Sequence, residues 1–178
     1  MKTKLLYVIS ILLLAFLFVS SIQAQKKKYI AKNNSKKKVA AKTITPGPID
    51  PAVIAALIGD WKNQLGSTLK IMSIDANTGQ LTGKYKSPSG TSGDEFSAIG
   101  WINTATPVTG GNNVVVVSFS VRWANATVNY GSVTAWNGYY AAGSNPKIVG
   151  QWLLSRANSS FEWDHILAGQ DTFSRVTP

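Results

Sequence analysis

The chain has no cysteine and a single histidine, His165, and its Asp and Glu number eight against eighteen Lys and Arg. Without cysteine there are no disulfides, no thiolate metal site and no cysteine for lipid attachment. One histidine and no cysteine leave a transition-metal site short of its usual ligands. A hydrolase would need His165 beside a nucleophilic serine and a carboxylate. Asp164 is its neighbour and Asp171 follows, but no recognisable motif surrounds them, so a hydrolase stays only an alternative class. A sustained helical period is also missing from Gly59 onward, which excludes a helical bundle.

The net charge of +10 is unevenly spread. The first residues, "MKTKLLYVISILLLAFLFVSSIQAQ", carry Lys2 and Lys4, an apolar run from Leu5 to Val19, then small and polar residues. This is the layout of a secretory signal peptide over residues 1–24, cut after Ala24, and it implies a secreted or periplasmic product. The apolar run is marginal in length for an uncleaved membrane anchor. Residues 25–58 hold the runs "QKKKYIAKNNSKKKVAAK" and "TPGPIDP" and read as a flexible Lys- and Pro-rich tail ending in "PAVIAALI", either one helical turn or an apolar lead-in. Such a tail serves as solubiliser or spacer, or contacts anionic surfaces weakly. From Gly59 on, basic and acidic residues nearly balance, so no nucleic-acid partner is expected of the folded part.

Residues 59–178 break into short strand-like runs separated by turn signals. "LKIMSI" and "QLTGKYKS" flank "DANTG", a hairpin turn rather than a calcium loop, since no acidic ligand follows at the needed distance. "FSAIGWIN", "VVVVSFSVRW", "SVTAWNGYY", "KIVGQWLLS" and "ILAGQDTFSRV" follow. "NAT" and "NSS" match glycosylation acceptors, relevant only in a glycosylating source. About eight strands with short connections predict an all-β, eight-stranded antiparallel up-and-down barrel, with a two-sheet sandwich as competitor. A barrel of that size holds side chains or one small ligand.

The stretch Gly59–Leu69, "GDWKNQLGSTL", alternates like a strand with Trp61, Asn63, Leu65, Ser67 and Leu69 on one parity. The same reading turns Leu81, Tyr85 and Ser87 inward, with Lys84 and Lys86 outward. Further on it turns in Val117, Phe119, Val121 and Trp123, then Ser132, Thr134, Trp136 and Tyr140, then Trp152 and Leu154, then Asp171 and Phe173. Charges fall mostly on the other parity. The inward set thus mixes Trp, Leu and Val with an amide, several hydroxyls and a carboxylate. Buried polar groups need partners. Either they satisfy one another and buried water, or they converge on a small ligand with a compact polar head, walled by tryptophan.

The stretch Gly59–Thr177 resembles the avidin and streptavidin family across the whole family domain. The resemblance rests on "GDWKNQLGST", "LTGKYKS", "FSVRW" followed by "SVTAWNGYY", "QWLL" and "GQDTFSRV", in order and at nearly family spacing. Streptavidin is itself a standard example of an eight-stranded barrel with one ligand. The resemblance implies biotin as bound ligand, with no cofactor. Asn63, Ser67 and Tyr85 would donate to its ureido oxygen, and Ser87 and Asp171 would accept from the two ureido N–H groups. Thr134 would face the sulfur and Ser132 the valeryl carboxylate. Trp123, Trp136 and Trp152 would box the ligand, with Leu65 and Leu154 adding wall. Trp163 matches a tryptophan lent by a neighbouring subunit, which implies a homotetramer. Trp61 and Trp101 have no binding role in it. The sequence departs from the family in the loop holding Pro88, Ser89 and Thr91, where Thr91 replaces Asn at a position that offers its backbone N–H to the carboxylate. Phe119 replaces Trp, and Gln170 replaces an interface His. A barrel for another molecule is the second reading; the many donors and acceptors argue against a lipid.

Overall fold

A computed structural model describes residues 47–89 and 93–176. The leader 1–24, residues 25–46 of the basic segment and Thr91 lie outside the described residues. Eight strands follow in order: β1 (Gly59–Asn63), β2 (Thr68–Ile74), β3 (Gln80–Lys86), β4 (Glu95–Asn103), β5 (Val115–Ala124), β6 (Asn129–Ala141), β7 (Lys147–Arg156) and β8 (Ile166–Arg175). Each pairs with the next and β8 returns to β1, so the sheet closes as an up-and-down antiparallel barrel rather than a sandwich.

The period of two drives this closure. β4 alternates strictly, with Phe96, Ala98, Gly100 and Ile102 inward and Ser97, Ile99 and Trp101 outward. β2 breaks the alternation at a bulge between Ile71 and Ser73, which turns both Met72 and Ser73 to solvent. Trp61, Leu69, Leu81, Phe96 and Phe173 are fully buried and form the centre of the core. The turn "DANTG" is built by Asp75, whose carboxylate accepts from the Asn77 and Thr78 N–H groups and the Thr78 hydroxyl. These bonds hold its carboxyl below the ordinary range.

The lead-in is helical. Asp50 caps α1 (Pro51–Leu57), its Oδ1 accepting from Ala52 N at 2.8 Å, with Pro51 opening the helix. Leu57 is fully buried, and Ile49 N donates to Ala76 O in the β2–β3 turn at 2.8 Å. The indole Nε1 of Trp61 donates to Leu57 O at 2.9 Å, satisfying a carbonyl that the helix leaves open. Residues 47–58 therefore plug one end of the barrel.

The reading of Gly59–Leu69 as one strand is corrected. β1 stops at Asn63, and residues 64–67 turn the chain into β2. Asn63 Oδ1 causes the stop by accepting from Leu65 N at 3.0 Å and Ser67 N at 2.8 Å. Asn63 and Ser67 are buried as expected, but Leu65, at the tip of the turn, is 66% exposed. The short β1 meets β8 in only three register pairs, Trp61–Arg175, Lys62–Ser174 and Asn63–Phe173.

Trp61→Phe keeps the ring and removes the hydrogen bond to Leu57 O. It is expected to destabilise the barrel by about 1–3 kcal/mol, since a buried carbonyl loses its donor and a cavity opens. Urea denaturation measures this, and an unchanged midpoint would mean that α1 does not brace the barrel.

Candidate functional site

The barrel end opposite α1 opens into a cavity of about 450 Å³, within the ordinary range for a small-molecule site. Its wall is laid down in register across β6, β7 and β8. One row is Thr134–Leu154–Leu167, the next Trp136–Trp152–Gly169, the third Gly138–Gly150–Asp171. Gly138 permits close strand packing in the third row, since a Cβ there would fall 1.9 Å from Val149 O. Gly169 serves the second row: a Cβ there would lie 2.4 Å from the Trp152 ring, so its absence lets that indole lie over β8.

Asn63, Ser67, Tyr85 and Ser87 line the opposite side, from the β1–β2 turn and β3. The two hydrogen bonds accepted by Asn63 Oδ1 fix which way its amide faces. Its Nδ2 is left to donate elsewhere. Burial raises the Tyr85 phenol above its ordinary range, the hydrogen bond with Ser67 opposes this, and the Asp171 charge adds to it. Tyr85 is thus an O–H donor throughout the neutral range. Ser67 Oγ donates to Ser87 Oγ at 3.5 Å, and Ser87 Oγ donates to Ser89 O at 3.2 Å.

Asp171 is only 3% exposed and has a donor on each oxygen. Trp136 Nε1 donates to Oδ2 at 2.8 Å, and Gln64 Nε2 donates to Oδ1 at 3.2 Å. Gln64 does more. Its Nε2 also donates to Gln170 O at 3.0 Å, and its Oε1 accepts from Thr172 N at 2.9 Å. The side-chain amide continues the β1–β8 ladder where the β1 backbone has already turned away. Trp123 Nε1 donates to Thr134 Oγ1 at 2.7 Å, which leaves the threonine hydroxyl proton to point elsewhere. Beneath them Phe119 stacks on Trp136 at 4.8 Å and 10°, and Tyr85 packs on Trp136 at 4.9 Å.

Asn63, Leu65, Ser67, Tyr85, Ser87 and Ser89 therefore share one cavity with Trp123, Ser132, Thr134, Trp136, Trp152, Leu154 and Asp171. Thr91 lies outside the described residues. Trp163 is not on this wall: it sits in a short 3-10 helix (Glu162–His165) between β7 and β8, 76% exposed and stacked on Phe161 at 5.4 Å. Trp61 is in the core and Trp101 is on the outer face, 55% exposed. His165 is bound through Nδ1 to Arg156 O at 2.8 Å.

The cavity also takes in Tyr130, Arg156, Asn158 and Leu167. Parity held a signal for three of them. Tyr130 precedes Ser132 by two, Arg156 follows Leu154 by two, and Leu167 precedes Gly169 and Asp171 on the same phase. Asn158 is in a loop, where no period applies. Gln64 carried no signal, because its partners lie more than a hundred residues away.

Residues 52–176 match the Avidin family. The chain is 35% identical over 124 residues to Afifavidin of Afifella pfennigii, covering 69% of this chain and 71% of that protein. It is 32% identical over 119 residues to Hoefavidin of Hoeflea phototrophica, covering 64% of this chain and 68% of that protein. With a closed eight-stranded barrel, a tryptophan-walled cavity and a match across most of its length, this chain belongs to the avidin family.

Proposed function

We propose that this protein binds biotin without catalysis in the barrel cavity. One observation carries the reading. Three donors, Asn63 Nδ2, Ser67 and Tyr85, stand on one side of a cavity that has Ser87 and the Asp171 carboxylate among its acceptors and Trp123, Trp136 and Trp152 on its walls. A ureido group has the matching arrangement, one carbonyl oxygen and two N–H groups. In this reading the three donors polarise the carbonyl toward an oxyanion, which strengthens each bond. The Asp171 carboxylate and Ser87 take the two N–H groups. Thr134 faces the ring sulfur, and Ser132 meets the carboxylate. The tryptophans and Leu154 bury the bicyclic ring and chain. Because the groups are already fixed to the scaffold, little ordering cost remains on binding. Family membership supports biotin binding at the family level.

The exposed Trp163, beside Phe161, is the residue this reading lends to a neighbouring subunit's cavity within a homotetramer. Its ring is 76% exposed and stacks on Phe161 rather than on its own cavity wall, which leaves it free for a neighbouring cavity. In the same reading residues 1–24 direct export, and the lysine-rich segment serves as solubiliser or spacer or contacts anionic surfaces weakly.

Calorimetry of the protein with biotin is the primary test. Heat of binding and a raised unfolding temperature are expected, and the absence of both would reject the reading. Asp171→Ala removes the charged acceptor and is expected to speed biotin dissociation about 10- to 100-fold, the range for losing a hydrogen bond to a charged group. An unchanged off-rate would remove Asp171 from ligand contact. Trp163→Ala should weaken binding and loosen assembly together, read by dissociation kinetics and sedimentation. If neither changes, the tryptophan is not shared between subunits.

A further inference from the structure

The ring of side chains at the cavity mouth continues into a second groove. Ser132 and Arg156 are directly opposed in the β6–β7 register, and both line the cavity. Both also line a groove of about 480 Å³ that runs over the rim, past Gly131 and Asn129, to Arg122. The outer part follows another register row, Arg122–Val133–Ser155. Gly131 makes the passage. Its φ of +60° bends the chain at the rim, its N–H is held by Asn129 Oδ1 at 2.9 Å, and its carbonyl accepts from Ala157 N at 2.8 Å.

The groove is cationic. Its lining contains two arginines and no Asp or Glu. Arg156 is tethered to the β7–β8 loop, donating through Nε to Asp164 O at 2.7 Å and pairing through Nη2 with Asp164 Oδ2. Of the five N–H donors of a guanidinium, three then remain for a ligand. Arg122 is exposed and has no ion-pair partner among the described residues. The carboxylates in the ion pairs present, Glu95 and Asp164, face Lys84 and Arg156 instead. The charge of Arg122 is thus uncompensated, at the far end of a path that begins beside Ser132.

We infer that this groove is an anion subsite for what is attached to the ligand's carboxyl chain, selecting tails that carry a carboxylate over neutral ones. The inference rests on the binding reading proposed above and deepens it. A tail leaving the cavity passes Ser132 and meets first the fixed guanidinium of Arg156 and then that of Arg122. Bidentate geometry suits arginine to a carboxylate. The contact lies at a solvated rim, so its effect is modest and sensitive to salt.

The probes are biotin and two conjugates through its carboxyl group, the α-amides of biotinyl-glutamate and biotinyl-glutamine, which share length and shape; the first carries one side-chain carboxylate and the second is neutral. Dissociation is measured for the wild-type protein and for Arg122→Gln at low and high salt. The acidic conjugate is expected to leave the wild type about three- to tenfold more slowly than the neutral one at low salt, with the ratio shrinking at high salt. In R122Q the ratio should fall toward one. R122Q is chosen over R156Q because Arg156 also secures the Asp164 loop, whereas Arg122 makes no such contact. Equal off-rates in the wild type, or an unchanged ratio in R122Q, would overturn the subsite while leaving biotin binding intact. Failure of biotin itself to bind would instead overturn the cavity reading on which the subsite rests.

Discussion

A carboxylate taken from water into a barrel interior is costly unless donors meet its oxygens. Asp171 meets that demand with one donor per oxygen, the Trp136 indole and the Gln64 amide. Much of the cavity end depends on this arrangement. Trp136 reaches Asp171 from the adjacent register row, Trp136–Trp152–Gly169 lying beside Gly138–Gly150–Asp171. Trp136 is in turn set by Phe119 stacked against it. Gln64 reaches Asp171 because Asn63 ends β1 by capping the turn that follows. A change at any of these positions moves the carboxylate or strips a donor from it.

The two ends of the barrel are finished differently for the same reason. Backbone and apolar groups close one end, where α1 seats Leu57 in the core and offers the Leu57 carbonyl to Trp61 and the Ala56 carbonyl to Arg175. At the other end the strands part and side chains replace backbone. The seam between β1 and β8 shows this most clearly. Three register pairs are followed by the Gln64 amide, which donates to one β8 carbonyl and accepts from one β8 N–H as a peptide unit would. The chain thereby leaves the sheet early enough to open a mouth without leaving those two groups unpaired.

Most of the barrel was legible because a period of two survives in nearly every strand, and an inward phase once found in β3, β5, β6, β7 and β8 points at the residues that meet in the cavity. Where the period failed, the cause was local. Asn63 looks like a strand residue by parity, yet its short amide captures two backbone N–H groups and turns the chain, so Leu65 reaches the rim rather than the core. The bulge at Met72 is equally invisible, since two outward residues in a row read as noise. The seven residues of α1 are too few for a helical period to separate from an apolar run, although Asp50 and Pro51 carry the start signal. Arg156 lay in phase with Trp152 and Leu154, but a charge on the inward phase is easily discounted when the strand's end is not yet located.

The polar residues of the cavity divide their hydrogen-bonding capacity in a consistent way. Asn63 commits its oxygen to the turn and keeps its Nδ2. Thr134 accepts from Trp123 and keeps its hydroxyl proton. Asp171 accepts once on each oxygen and keeps further lone pairs. In each case the half spent on the scaffold is the half that fixes orientation, so the other half is aimed before any ligand arrives. This also resolves how such a polar interior is tolerated: among the described residues no fully buried side-chain nitrogen or oxygen lacks a partner. Scaffold bonds bear the cost of bringing the polar groups inside. The capacity left over at Asn63, Thr134 and Asp171 faces the cavity, where a ligand of matching shape meets groups that need not reorient, while the one Ser67 proton, given to Ser87 at 3.5 Å, has to turn toward the ligand.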